Sequence, residues 1–442
     1  MKKALKVLGI VFGSLAAVYL IFFVVNVLCN VFLRNYIRSF EPVNYTGEDR
    51  IVPVKEDGFY TFVTDEDLEV MYFTDIHIGG GFWTYKKDKK AIFEVMSMLQ
   101  KEKPDLVILG GDNVYAVPGI GYGGGFTFNN KMVAKTVATL FDHAGVYFST
   151  VLGNHDTEAF DYSKRQSVGE LYMSDQFEYS IFEEMFTDLD ATTIPSVSNQ
   201  FILVKNSAGH ITKVILLIDS NDYVDTSLSA SINQRYDVIH DAQVEWAAGV
   251  IKELSRKEGL PEGEYLKTLL FLHIPVGEYK VALDELIEEI PDNCAGGRRY
   301  VKREPAGENT EFVTGWWDDD KIYYGGLNNG IEPADEDCLF EVLCDDMHSV
   351  EAMFCGHDHL NNVSVKYKGV LLAYNYSIDN SAYKGINRAG LQRGASVITI
   401  RPDGSFEHVY KNTYLDYGIP TDKFYDVYLD RHLHPEWFRT VE

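Results

Sequence analysis

The sequence predicts an α/β fold with enough strand for two stacked sheets, preceded by one transmembrane helix. Three observations carry that reading. Strand-like and helix-like patterns alternate from about residue 50 to residue 412. Five of the apolar strand-like runs end in residue types that ligate metals, and no charge interrupts the stretch between Lys6 and Arg34.

The uncharged stretch comes first. At about 1.5 Å per residue it makes a helix of roughly 40 Å, more than the ~30 Å hydrocarbon core of a bilayer. A cleaved signal peptide has a shorter apolar run followed by small residues. Val31-Phe32-Leu33-Arg34 offers no such site, so an uncleaved anchor that meets the lipid bilayer through residues 7–33 is expected. Lys2, Lys3 and Lys6 precede it, whereas Arg34 and Arg38 are followed by Glu41, Glu48 and Asp49. The positive-inside tendency then places the N-terminus in the cytoplasm and the bulk of this single-pass chain outside the cell membrane. The expected organisation is an anchor with flanks at 1–38, a linker and first strand at 39–60, one large domain at 61–412, and a C-terminal extension at 413–442.

Within the large domain, Val70 to Thr74 stops at Asp75-Ile76-His77, and Leu106 to Leu109 leads into Gly110-Gly111-Asp112-Asn113. Val146 to Leu152 ends in Gly153-Asn154-His155-Asp156, Leu269 to Leu272 in His273-Ile274-Pro275, and Ala352 to Cys355 in Gly356-His357-Asp358-His359. Short β-branched and aromatic runs closed by Gly or Pro are the sequence form of buried strands. Ligands gather outside the carboxyl ends of such strands, so endings dispersed in sequence can converge in space. Helices are expected at Lys86 to Lys101, Asn130 to His143 and Asp241 to Arg256, the last with Asp241 able to cap it. Further strands fall near Phe201 to Val204, Val214 to Ile218, Val363 to Tyr367 and Ala395 to Ile400. From Glu285 to Asp337 the chain turns acidic and turn-rich, either a substrate-facing lid or a surface insertion.

A chain of 442 residues, 46% hydrophobic, can bury a large core. Its formal charge of −26 repels polyanions, so no nucleic-acid partner is expected, and no obligate protein partner is evident. Cys29, Cys294, Cys338, Cys344 and Cys355 are odd in number and lack CxxC spacing, which argues against a zinc knuckle or a dense disulfide framework; Cys338 and Cys344 allow a bridge but read better as two free thiols on one helix. Gly119 to Gly125 is a phosphate nest or simply a loop, His432 and His434 read as surface residues, and Asp219-Ser220-Asn221 ends a strand without an assigned role.

Two divalent ions about 3.5 to 4 Å apart can clamp a phosphoryl group between them. Oxygen and neutral imidazole ligands without sulfur suit manganese, iron and zinc. Alone, Asp75-x-His77 is an ordinary polar strand end and Gly111-Asp112-Asn113 an ordinary turn. In an extended segment, however, His357 and His359 face the same side, and packing gives no reason for the ordered set of five.

That series, DIH, GGDN, GNHD, HIP and GHDH, resembles the calcineurin-like metallophosphoesterase superfamily over roughly residues 65 to 400. FLHIP, GHDHLN and Gln392-Arg393-Gly394-Ala395 are most similar to its purple-acid-phosphatase-like branch. The resemblance implies a four-layer αββα sandwich of two mixed sheets flanked by helices. It implies one divalent metal held by Asp75, His77, Asp112 and His359, and a second held by Asp112, Asn154, His273 and His357, with Asp112 bridging. It also implies a phosphoester substrate attacked by metal-activated hydroxide, with His155 donating a proton to the leaving oxygen and Asp156 orienting its imidazole. Tyr115 fits the GDxxY pattern of ferric tyrosinate enzymes, but those carry DxG where this chain has Asp75-Ile76-His77. The His77 imidazole takes the place the phenolate needs, so Tyr115 is read as a pocket or packing residue. The expected function is a membrane-anchored phosphatase or phosphodiesterase. The alternatives are a lipid or nucleotide pyrophosphate hydrolase, and a metal-binding phospholigand sensor without turnover.

Overall fold

A computed structural model describes residues 2–45, 50–116, 129–158, 163–188, 196–225, 227–286, 306–315, 317, 337–382 and 393–419. Gly119 to Gly125, most of the 285–337 stretch, Cys294, Gln392, His432 and His434 lie outside them.

The chain opens with α1 (Lys2–Ile37), long and apolar enough to cross a membrane. Its first half projects freely, with Leu8, Phe12, Leu15 and Leu20 exposed. Its last turns bury Asn26, Asn30, Leu33 and Ile37, spaced along one helical stripe, against the folded domain. Asn30 fixes the contact: its amide nitrogen donates to Gly80 O at 2.9 Å and its oxygen accepts from Thr136 Oγ1 at 2.8 Å. The segment that follows is not a free spacer. Val43 N donates to Ala144 O at 2.9 Å, and Tyr45 Oη donates to Pro104 O at 2.6 Å.

Strands β1 (Val54–Glu56) and β2 (Phe59–Val63) lead to β3 (Leu68–Phe73), α2 (Tyr85–Glu102), β4 (Leu106–Gly110), α3 (Asn130–Ala144) and β5 (Tyr147–Val151). After α4 (Arg165–Tyr172) come β6 (Phe186–Asp188), β7 (Ser196–Lys205), β8 (Ile211–Leu217), α5 (Leu228–Ile232), α6 (Asp241–Lys257), β9 (Thr268–Phe271) and α7 (Glu278–Asp284). The chain continues through β10 (Thr310–Thr314), a π-helical turn over Glu341–Asp346, β11 (Val350–Cys355), β12 (Ser364–Tyr367), β13 (Val370–Tyr374), β14 (Gly394–Ile400) and β15 (Phe406–Asn412).

A small sheet of order β15-β14-β3-β4-β5 has β3, β4 and β5 parallel. The large sheet runs β1-β2-β7-β8-β9-β11-β13-β12-β10, with β6 beside β7 and with β8, β9, β11 and β13 parallel. Side chains alternate across each strand. On β3, Val70 and Tyr72 enter the core between the sheets with Phe271 and Phe354, while Met71 and Phe73 face α2 and α3. On β9 and β11, Leu270 and Met353 face the opposite way, toward α6 and α7. The result is the expected four layers: helix, small sheet, large sheet, helix.

The helices exceed their predicted ends by about a residue each, except in their caps. α3 starts on Asn129, whose side chain accepts from Met132 N, and stops at Gly145 in the left-handed region. α6 is not capped by Asp241, which is already its first residue. The N-cap is His240, whose backbone N–H donates to Gln243 Oε1 at 3.0 Å. Cys344 lies on the π-helical turn, but Cys338 precedes the helix instead of sharing it; both thiols are free.

Candidate dinuclear metal centre

Buried parallel strands that stop at one edge bring their endings together. Asp75 and His77 follow β3, Asp112 follows β4, Asn154 follows β5, His273 follows β9, and His357 with His359 follow β11. Asp75, His77, Asp112 and His359 offer ligand atoms within 4.8 Å of one another, and so do Asp112, His273 and His357. Asp112 belongs to both groups.

The chain turns sharply to achieve this. Asp75, His77, Asp112 and His357 have φ of 53°, 54°, 49° and 75°, a left-handed backbone that costs ordinary side chains on the order of 1 kcal/mol or more each. Two motif glycines are required by close approach. A Cβ on Gly153 would stand 2.2 Å from Asp112 Oδ1, and one on Gly356 would stand 2.0 Å from Thr74 Oγ1 and 2.5 Å from Asp75 Oδ2.

What these turns present is a set of bare polar atoms. Asp75 Oδ1, Asp112 Oδ2, Asn154 Oδ1, both ring nitrogens of His77, His273 Nε2 and His357 Nδ1 are buried without a hydrogen-bond partner. Interiors rarely leave such atoms unpaired, and a cluster of carboxylate, amide and imidazole donors fits hard or borderline divalent cations. The other atom of several of these groups is tied back, which aims the bare one. His273 Nδ1 donates to Gly110 O at 2.7 Å, leaving Nε2 3.2 Å from Asp112 Oδ2. His359 Nδ1 pairs with Asp379 Oδ2 at 3.1 Å, leaving Nε2 3.0 Å from Asp75 Oδ1. Asn154 Nδ2 donates to Tyr223 Oη at 3.1 Å, so its oxygen turns inward. Asp75 Oδ2 accepts from Thr74 Oγ1 at 2.8 Å and from His357 N at 3.1 Å.

The electrostatics follow from the crowding. Burial favours a neutral Asp112, yet His273 and His155 hold its carboxyl well below the usual range. Burial likewise opposes charge on His359, but the Asp75 and Asp379 carboxylates lift it to about 10. His357 is pushed down to about 3, by burial first and then by His273. Asp75, against its burial, is held below the usual carboxylate range as well, chiefly by His359.

His155 stands apart from the ligand cluster. Its side chain is 24% exposed where those of His77 and His273 are fully buried, and its Nε2 lies 3.9 Å from Asp112 Oδ2. Its backbone N–H donates to Asp112 Oδ1 at 2.7 Å. The carboxylate on its ring is not Asp156, as the sequence suggested, but Glu158, hydrogen-bonded to His155 Nδ1. Residues 155–157 form a 3₁₀ turn, in which side chains three apart eclipse and adjacent ones diverge. Ser231 Oγ holds the second Glu158 oxygen at 3.1 Å. Asp156 instead accepts from Gly153 N at 2.8 Å and Val114 N at 3.0 Å, pinning the loops after β4 and β5 together. Tyr115 stacks on His77, ring centroids 4.7 Å apart, with its edge toward His155.

Sequence reasoning missed the supporting charges. Asp379, beyond β13, faces His359 and also lies 3.9 Å from His77 Nδ1. Arg165 is buried on Asp219, with Asp222 3.6 Å away, and donates to Gly153 O at 2.9 Å and Leu152 O at 3.2 Å, clamping the approach to Asn154. Ser220 Oγ accepts from Ile274 N at 2.8 Å, fixing the turn after His273. Adjacency of Asp219 to a strand end was the only signal available.

The chain is similar to known proteins along most of its length. The family model for calcineurin-like phosphoesterases matches residues 68–361. Two Arabidopsis thaliana proteins are similar along most of the chain. One, named "Probable inactive purple acid phosphatase 14", is 24% identical over 76% of this chain and 76% of its own. The other, "Probable inactive purple acid phosphatase 29", is 22% identical over 84% of this chain and 85% of its own. A crystal structure of a dimetal phosphatase from Danio rerio covers 79% of this chain and 97% of its own at 12% identity, with a TM-score of 0.44.

Proposed function

The chain belongs to the calcineurin-like phosphoesterase family, and from that premise we propose that it is a membrane-anchored hydrolase of phosphoesters using two divalent cations. The observation that carries the proposal is the convergence of buried, unpartnered ligand atoms from five strand ends around Asp112. Asp75, His77, Asp112 and His359 would hold one cation; Asp112, Asn154, His273 and His357 would hold the other. Bound there, such ions supply Lewis acidity that polarises a phosphoryl group and acidifies water.

The chain's own residues do the rest. Asp112 Oδ1 holds the backbone of His155, so the shared carboxylate also sets the position of the proton donor. Glu158 orients the His155 ring through Nδ1, which leaves Nε2 to face the leaving oxygen of a substrate entering from solvent. Tyr115 packs against both rings, stacked on His77 and perpendicular to His155. The N-terminal helix would cross the membrane once, with the more basic flank of Lys2, Lys3 and Lys6 in the cytoplasm and the metal centre outside.

A second reading, a protein that binds metal and phosphate without turnover, draws on the word inactive in the names of the two plant relatives. Metal analysis of the purified protein, with a panel of phosphomonoesters, diesters and pyrophosphates, separates the two. Two metal equivalents with turnover support hydrolysis, and two equivalents without turnover on the whole panel support the second reading. A protein that binds no metal under any loading condition overturns both.

A further inference from the structure

The turn that follows His77 does more than close the metal centre. Gly79 N and Gly80 N donate to Asp88 at 3.0 Å each, and Asn30 of α1 donates to Gly80 O, so the turn is braced between α2 and the anchor helix. Its tip points outward. Phe82 is 67% exposed and Trp83 59% exposed, an apolar pair no soluble surface needs. Trp83 stacks on Phe22 of α1 with ring centroids 5.6 Å apart.

That stack marks a height along the helix. At about 1.5 Å per residue, α1 from Leu5 to Phe22 runs about 27 Å, close to the ~30 Å of a hydrocarbon core. Tryptophan concentrates where such a core meets the headgroups. Directly above the stack, Val25, Leu28, Cys29 and Phe32 face Phe82 and Trp83 across an open groove of about 680 Å³, with Tyr85 and Lys86 at its polar end. A volume of several hundred Å³ with apolar walls and one cationic end matches a molecule with a hydrocarbon chain and an anionic head.

Charge supports the same occupant. In a chain of net charge −26, Lys86 at the start of α2 lines the groove, and Lys87, Lys89 and Lys90 follow it in sequence. Lys86 is exposed and has no carboxylate partner among the described residues. Basic residues at a bilayer surface attract anionic headgroups.

We infer that the groove between α1 and the Phe82–Trp83 turn is a binding site for an anionic phospholipid, its acyl chain along Val25, Leu28 and Phe32 and its phosphate on Lys86. The inference rests on the anchoring proposed above and places a bound lipid against the segment that carries His77. It requires neither turnover nor metal.

The test uses the full-length protein in phosphatidylcholine vesicles, with and without phosphatidylglycerol, carrying doxyl-labelled phosphatidylcholine or doxyl-labelled phosphatidylglycerol. Tryptophan fluorescence is expected to be quenched at least twofold more strongly by the labelled phosphatidylglycerol. The quenchable component should disappear in Trp83→Phe, and the lipid preference in Lys86→Glu. Quenching that is unchanged in Trp83→Phe, or equal for the two lipids in the wild type, overturns the site while leaving the anchor intact. Failure of the protein to float with vesicles overturns both. Hydrolysis of a soluble phosphomonoester, measured alongside, reports the proposed activity independently.

Discussion

The small and large sheets bring different donors to the candidate metal centre and hold them by different means. From the small sheet come Asp75, His77, Asp112 and Asn154, and from the large sheet come His273, His357 and His359. Every oxygen donor is on the small-sheet side. There the backbone does the positioning, through left-handed turns at Asp75, His77 and Asp112 and a glycine packed against Asp112. On the large-sheet side a partner for the second ring nitrogen positions His273 and His359, namely Gly110 O and Asp379. His357 is the exception on this side, placed by its backbone, with φ of 75° and a backbone N–H bond to Asp75. The contrast implies that small-sheet changes should dismantle the centre, whereas large-sheet changes should weaken it by degrees.

Substitution of the shared carboxylate should be the most severe test. Asp112→Asn is expected to lose both metals and fall to background activity, while His359→Ala keeps one metal equivalent by elemental analysis. Equal metal loss in the two variants would break the contrast. Next in size, His155→Ala should retain both metals and lose about 10²- to 10⁴-fold in kcat on alkyl phosphates, far less on nitrophenyl phosphate, whose leaving group needs no proton. Losses of the same size on both esters would remove His155 from the proton-donor role.

Smaller still, Asp379→Ala removes the acceptor for His359 Nδ1 without removing a ligand, and should weaken metal binding about ten- to a hundredfold in a chelator competition. A change of less than twofold would mean that His359 is placed by packing alone. The last effect falls on stability and not on metal or turnover: it concerns Asp88, which braces the small-sheet turn after His77. Burial pushes its carboxyl up from 3.8 to about 6, against the hydrogen bonds from Gly79, Thr84 and Gly80. The folded protein thus holds this proton more tightly than the unfolded chain. Its contribution to stability is full below pH 4, is lost as pH rises toward 6, and is constant above, about 3 kcal/mol in all. Thermal melts of wild type and Asp88→Asn should therefore differ in slope between pH 4 and 6 and run parallel above; parallel curves throughout would refute the assignment.

The residues legible in the sequence were those attached directly to a strand end. An apolar run followed by Gly-Asn-His-Asp announces both the strand and what it delivers, because chain adjacency fixes the distance. The supporting carboxylates were not legible for the complementary reason. Asp379 reaches His359 only because β12 and β13 return the chain to the same edge, and Arg165 meets Asp219 across the β6–β8 excursion. Glu158 was within sight, three residues from His155, but choosing it over Asp156 requires knowing that the turn is 3₁₀. The cap of α6 failed similarly: Asp241 has the better intrinsic preference, yet Gln243 accepting from His240 decided the register. Exposure of Phe82 and Trp83 could not be read at all, since an aromatic pair after three glycines looks like a buried turn.

One further consequence follows from the way α1 enters the domain. The helix continues without a break from its exposed apolar half into turns locked by Asn30, Leu33 and Ile37. If α1 spans a bilayer as proposed, it is a mast and not a tether. In a bilayer thinner or thicker than its apolar span, the helix must tilt to match, and a domain fused to it would lean by the same angle. Lipid thickness would then set the direction in which the metal centre opens, so that membrane composition alone could tune its access to substrates lying on the surface.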